Sequence, residues 1–230
     1  MLKHQTLSLA LLISASILVS ACSKKADAPA PEDVSTPAPV AAVAQEAASS
    51  VAVEEDPVVV QKREAMEFAL MEDKIANDPK GQWAISAKAS STYATNPEDS
   101  TQGYHAFRAT GAPDTQTYGD YATAWTSKAA DKGLEWLELE YANAVNANEI
   151  KIRQNNEPGA IISVDLYDEA GSAHNIWKGP DATQYKSSTI SWLTIPFDKT
   201  AYKTKRVKIT LATNVVSSWN EIDAVQLIGE

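Results

Sequence analysis

The 230-residue chain holds one cysteine, Cys22, and three histidines, His4, His105 and His174. A single thiol excludes an intrachain disulfide, so any fold in an oxidising compartment rests on its core alone. Cys-ligated zinc is excluded for the same reason. Neither His105 nor His174 stands in an HExxH spacing or near a G-x-S-x-G elbow, so zinc-hydrolase and nucleophilic-triad chemistry lack their parts. Lys and Arg total 20 against 30 Asp and Glu, a formal net charge of -10, and no basic cluster interrupts that excess. Without a cationic stripe to follow phosphates, nucleic acid is not an expected partner. Apolar runs long enough to cross a bilayer are missing too, the stretch from Leu7 to Val19 being too short.

What that N-terminal stretch does contain is a basic start at Lys3, an apolar middle and an end in small residues, the pattern of a secretory signal at residues 1–21. Its last residues, Val19-Ser20-Ala21-Cys22, resemble a bacterial lipobox. The resemblance implies cleavage before Cys22 and acylation of its thiol. Each buried methylene of an acyl chain contributes about 0.8 kcal/mol, so several chains anchor firmly where one does not. Ser23 follows the cysteine in place of the Asp that resembles an inner-membrane retention signal. The expectation is a lipid anchor in the outer membrane of a Gram-negative bacterium, with the protein facing either the periplasm or the exterior.

Residues 22–56 continue from the lipidated Cys as an Ala, Pro, Glu and Ser tract without an aromatic residue. Such a tract cannot offset its ordering entropy by burial and is expected to be a disordered spacer. Fully extended, it reaches roughly 100 Å. A short helix is expected over residues 57–79, with Asp56 as N-cap, Pro57 at the first helical position and Asp78-Pro79 as the stop. Val59, Met66 and Leu70 fall near one face, widened by Ala65, Phe68 and Ile75. A helix packed on the following domain is favoured over one lying on a membrane, which usually carries a strongly basic polar face.

From Gly81 the period changes to two. "EWLELEYA" sets Leu137, Leu139 and Tyr141 against Glu138 and Glu140, "EIKIR" sets Ile150 and Ile152 against Lys151 and Arg153, and "IISVDLYD" sets Ile162, Val164 and Leu166 against Ser163 and Asp165. With "WAISAKASS", "HNIWKG", "STISWLTIPF", "KRVKITLA" and "EIDAVQLIG" this makes about eight strands and no helix-length pattern between them. Residues 81–230 are therefore expected to form one all-β domain, an antiparallel β-sandwich of the jelly-roll kind. Trp125 and Trp136 are expected in its core.

In order, "AKASSTYA", "RATGAPDTQTYGDYATAW", "EWLELEYANAVNANEIKIR", "NEPGAIISVDLYDEAG" and "WNEIDAVQLIG" look like the successive blocks of a galactose-binding-like module. This is the fold of discoidin and coagulation factor V/VIII C-type domains and of family 32 carbohydrate-binding modules. The turn "TGAPD" departs from the Asp-Gly turn common in the discoidin type and looks more like a bacterial branch of the superfamily.

The resemblance implies a structural calcium ion near the loop from Ala109 to Trp125, with Asp114, Asp120, Thr123 and Glu221 as its candidate ligands. Calcium takes about six to eight oxygen ligands, which acidic side chains and free carbonyls supply; Pro-Asp and Gly-Asp are also ordinary turn chemistry. It further implies a ligand at the loop end of the sandwich, where Tyr118 and Tyr121 offer faces for a sugar ring and Asn156 an amide for its hydroxyls. The expected function is a non-catalytic, lipid-anchored module for a glycan. The alternative is a structural or protein-interaction lipoprotein meeting an envelope or extracellular protein on the same fold. A glycoside-processing enzyme would need a carboxylate pair, of which Glu157 and Asp165 are conceivable members.

Changing Cys22→Ala is expected to leave an uncleaved precursor or to release the chain from membranes, as read by fractionation and by the mass of the mature protein. A soluble wild-type chain without acyl mass contradicts the anchor.

Overall fold

The computed structural model describes residues 55–230. The signal peptide at 1–21, Cys22 and nearly all of the spacer at 22–56 lie outside the described residues. The rest begins with a helix, α1 (Pro57–Ala76), followed by β1 (Gly81–Ala89), a 3₁₀ turn (Ala106–Ala109), β2 (Leu134–Val145), β3 (Ala147–Asn156), β4 (Ile161–Asp168), β5 (Ala173–Lys178), β6 (Ser191–Pro196), β7 (Thr204–Ala212) and β8 (Glu221–Gly229).

All pairings are antiparallel, and the strands run in the order β5-β4-β7-β2-β1-β8-β3-β6. The midpoint of that order is where the sheet folds over into a sandwich. β1 gives its first residues, Gly81 to Trp83, to β8 and the remainder, from Ala84, to β2, with a register shift between Ala84 and Ser86. One strand thus belongs to both leaflets.

Period-two burial builds one core between them. Leu137, Leu139, Val164, Leu166, Val207, Ile209 and Leu211 come from one leaflet, and Ile150, Ile152, Leu193, Ile195, Ile222, Val225 and Leu227 from the other. Trp125 is fully buried in this core, as expected. Trp136 is not: it alternates with Leu137 and stands half-buried on the outer face, with Lys208 Nζ 5.0 Å from its ring centroid. In β4 it is Ile161, not Ile162, that is fully buried. The register with β7 shifts between Ile161 and Ser163, and such an irregularity inverts the facing of the residue before it.

The start of α1 follows the expected chemistry. Asp56 Oδ1 accepts from Val58 N at 2.8 Å, and Pro57 occupies the first turn. The helix ends at Ala76, three residues before Pro79, because Asp78 turns to accept from Lys80 N at 2.9 Å and a residue before proline avoids the helical region. Its apolar residues do not form one buried face. Ile75 and Phe68 face the domain, whereas Val59, Met66 and Leu70 are 50%, 57% and 62% exposed.

α1 is held on the domain by polar contacts to the outer face of β3 and β8. Gln226 Nε2 donates to Ile75 O at 2.8 Å, and Arg153 Nε donates to Glu72 Oε1 at 2.8 Å. With the Ala109–Trp125 loop over its first residues, this second cover leaves every residue of β8 buried. The Arg153 side chain, 3% exposed, also meets Asp223 Oδ2 at 2.6 Å, and that carboxylate has no exposure. Arg153→Ala leaves Asp223 buried without a counter-charge and is expected to cost about 3–5 kcal/mol. Glu72→Ala removes a partner that is 31% exposed and should cost about 1 kcal/mol or less. Urea midpoints at constant slope measure both.

Candidate functional site

The loop from Ala109 to Trp125 closes one end of the sandwich, and two carboxylates at the start of β8 hold it there. Asp223 Oδ1 accepts from Thr115 N at 3.1 Å and Thr115 Oγ1 at 2.7 Å, while Glu221 Oε2 accepts from Tyr121 N at 3.2 Å. β3 adds Asn155, whose carbonyl accepts from Gly119 N at 2.9 Å and whose Nδ2 donates to Gly119 O at 2.9 Å. Gly119 has φ +130°, a conformation side-chain-bearing residues rarely adopt. Trp125 ends the loop by exchanging backbone hydrogen bonds with Ile222 at 3.0 Å.

These attachments divide the four candidate metal ligands into two groups. Asp120 and Glu221 lie side by side, close enough for the Asp120 carboxylate to act on the titration of Glu221. Thr123 Oγ1 instead lies 2.6 Å from Thr115 Oγ1, in the hydrogen-bonded group around Asp223. Asp114 joins that second group, its carboxyl held above the usual range by burial and by the charge of Asp223. Among the described residues, no three Asp, Glu, His or Cys side chains converge in a metal-holding group.

The Asp120–Glu221 group nevertheless presents unmet oxygen. Glu221 is 1% exposed, its Oε1 has no hydrogen-bond partner, and neither has Asn155 Oδ1 beside it. Burial pushes the Glu221 carboxyl up to about 8; the Tyr121 amide and Asn155 side chain pull it down, and Asp120 pushes it further up. Orphaned carboxylate and amide oxygens are the donor type a hard cation takes, so the residues present fit calcium at Glu221, Asp120 and Asn155.

Next to Asp120 the loops form a feature absent from the candidate residues named from sequence. Tyr93, from the segment after β1, meets Tyr104 edge-on at 5.3 Å and Trp219 at 5.5 Å between ring centroids. With Asp120 and Thr126 these rings line a pocket of about 30 Å³. Tyr104 OH donates to Asp120 Oδ1 at 2.7 Å, a bond that raises the phenol to about 12. Two non-glycine residues at this cup have left-handed backbone, Tyr104 at φ +63° and Ser218 at φ +82°. Strain of this kind persists only where the surroundings impose it.

The sequence-named ligand residues scatter around the cup. Tyr121 stands on the loop surface, 42% exposed. Tyr118 turns away, donating its hydroxyl to Glu157 Oε1 at 3.1 Å and facing the groove under α1. Asn156 is buried and donates to Trp219 O at 2.9 Å, so it braces the cup from behind. Glu157 and Asp165 engage different partners, Glu157 at Tyr118 and Asp165 at Asn175 on the outer sheet face, and no hydrogen bond joins them.

The family model described as pappalysin-1, SD scarf domain, C-terminal, matches residues 73–230. The chain belongs to this family. No curated protein matches it significantly. Among solved structures, chitosan-binding module 1 of a chitosanase/glucanase from Paenibacillus sp. IK-5 is 16% identical with TM-score 0.45, over 63% of this chain and 94% of that one. The family 32 carbohydrate-binding module of NanJ from Clostridium perfringens, in complex with galactose, is 15% identical with TM-score 0.44, over 64% and 98%. The lectin domain of lectinolysin complexed with Lewis B antigen is 18% identical with TM-score 0.44, over 63% and 92%. The antiparallel β-sandwich expected from the residue blocks is the architecture of this scarf-family chain.

The buried acid generates a pH dependence. The unfolded carboxyl ionises near 4.5 and the folded one near 8. Glu221 therefore detracts nothing from stability below the lower value, and stability falls as pH rises through the upper one. Melting curves in chelator are expected to move to lower temperature between pH 5 and 8, and Glu221→Gln to flatten that slope. An unchanged slope in the variant would show that Glu221 is not its source.

Proposed function

We propose that this scarf-family protein is a non-catalytic glycan-binding module, presented on an outer-membrane lipid anchor at Cys22 of a Gram-negative envelope. The carrying observation is the aromatic cup at the loop end, with Tyr93 49% exposed at its mouth. A sugar ring offers an apolar face to such a phenol ring and its hydroxyls to the Asp120 carboxylate beside it. The cup is preformed by Asn156, Tyr104 and the closing strand, so little ordering opposes binding.

Calcium belongs to this proposal as a brace at Glu221, Asp120 and Asn155, behind the ligand surface. The ion would supply positive charge between the buried Glu221 and the exposed Asp120. Raising calcium should then raise the melting temperature of the wild type and leave Glu221→Gln unmoved, since an ion that binds only the folded state stabilises it by mass action.

The alternative, a protein-interaction lipoprotein, is supported by the exposed Val59, Met66 and Leu70 on α1. A glycan array probed with the full chain in detergent separates the two. Binding to a defined glycan class is expected, weakened about tenfold or more by Tyr93→Ala, which corresponds to about 1.4 kcal/mol. An array left blank by a folded wild-type chain refutes the glycan reading.

A further inference from the structure

We infer that the cup formed by Tyr93, Tyr104, Trp219 and Asp120 holds a compact organic ammonium group carried by the ligand. This deepens the glycan proposal and rests on its claim that ligands meet this end of the sandwich.

Size gives the first argument. A pocket of about 30 Å³ has room for one small substituent, not for a sugar ring. The ring of a bound saccharide therefore stays outside, over Tyr93, while a single substituent enters. What the substituent meets is the second argument. Three aromatic rings, in edge contacts at 5.3 and 5.5 Å, surround a space with a carboxylate at its side. Aromatic faces carry negative electrostatic potential and attract ammonium ions, most strongly where water is excluded. Asp120 adds a full charge, oriented by the Tyr104 hydroxyl at 2.7 Å.

Competition from the protein's own cations is the third argument. No Lys or Arg lines the cup. Arg153 is bonded to Asp223 and Glu72, and Arg108 donates to the backbone of Thr101 and Gln102. The formal charge of -10 adds a long-range attraction for cations. An anionic substituent would meet the Asp120 carboxylate with no Lys or Arg in the lining to offset it.

The ammonium has two chemical sources, a protonated amino sugar or a quaternary ammonium head group. Calorimetric titration of the full chain in detergent distinguishes them, with chelator present so that no divalent cation shares the charge. The probes are a glucosamine oligosaccharide, its fully N-acetylated counterpart, and choline. At least tenfold tighter binding of the free amine than of the acetylated sugar supports an amino-sugar ligand, and choline binding tighter than both supports the head group. Asp120→Asn should abolish either preference. Tyr93→Leu, which leaves the carboxylate in place, should weaken ammonium binding at least tenfold, with melting curves confirming that both variants fold.

If the acetylated sugar binds as well as or better than the amine and choline does not bind, the ammonium inference is overturned while glycan binding stands. Choline binding together with a blank glycan array keeps the ammonium site and overturns the glycan reading. Absence of binding by all three probes overturns the inference, whatever the array shows.

Discussion

Arg153 is the point at which three parts of the molecule meet in one buried charged group. Its guanidinium lies between the Asp223 carboxylate, the Thr115 carbonyl at 2.6 Å and Glu72 of α1. A buried guanidinium is tolerable only when its donors are met, and here the partners come from the closing strand, the end loop and the helix. Asp223 in turn fixes Thr115 and, through it, Thr123. The loop carrying Asp120 and Tyr121 is therefore positioned in part by a charged pair formed on the outer face of the sandwich, while the hydrophobic core holds its two ends, Ala109 and Trp125.

The second carboxylate on β8 has a different character. Asp223 has its counter-charge; Glu221 has amides, a neighbouring acid and an oxygen with no partner. Two acids one strand-step apart on the same face thus divide the work. One secures the loop, and the other stores unmet electrostatic demand next to the aromatic cup. Buried groups left incompletely satisfied are where a ligand or ion has most to contribute.

Much of this architecture was legible in the residue pattern, because one buried face per strand imposes alternation. Leu137, Leu139 and Tyr141 in β2, and Ile150 and Ile152 in β3, face the core as their spacing requires. Errors arose where the register is irregular and where a large ring was expected inside against the alternation of its own strand. The irregular register at the start of β4 exchanged Ile161 for Ile162, and the phase of β2 placed Trp136 outside. On α1 the capping chemistry was readable at Asp56 and Pro57, but periodicity does not reveal which apolar positions find cover, and Val59, Met66 and Leu70 did not. At the site, the approach of Glu221 to Asp120 followed from closure of the last strand. Tyr93 and Trp219 gave no such signal, since their meeting depends on loop paths that no local period encodes. Arg153 and Asp223 read only as polar positions on strands, and nothing local marks them as partners.

The sharing of β1 between the two leaflets has a mechanical consequence. β1 follows α1 and Lys80, so once the contacts of Glu72 and Ile75 give way, tension entering the domain from its N-terminal side reaches the first residues of this strand. Its hydrogen bonds run to β8 on one side and β2 on the other, perpendicular to that pull. Such bonds are loaded in shear, many at once, and do not open in sequence like a zip. The strand that joins the two halves of the sandwich is thus also the one placed to resist extension.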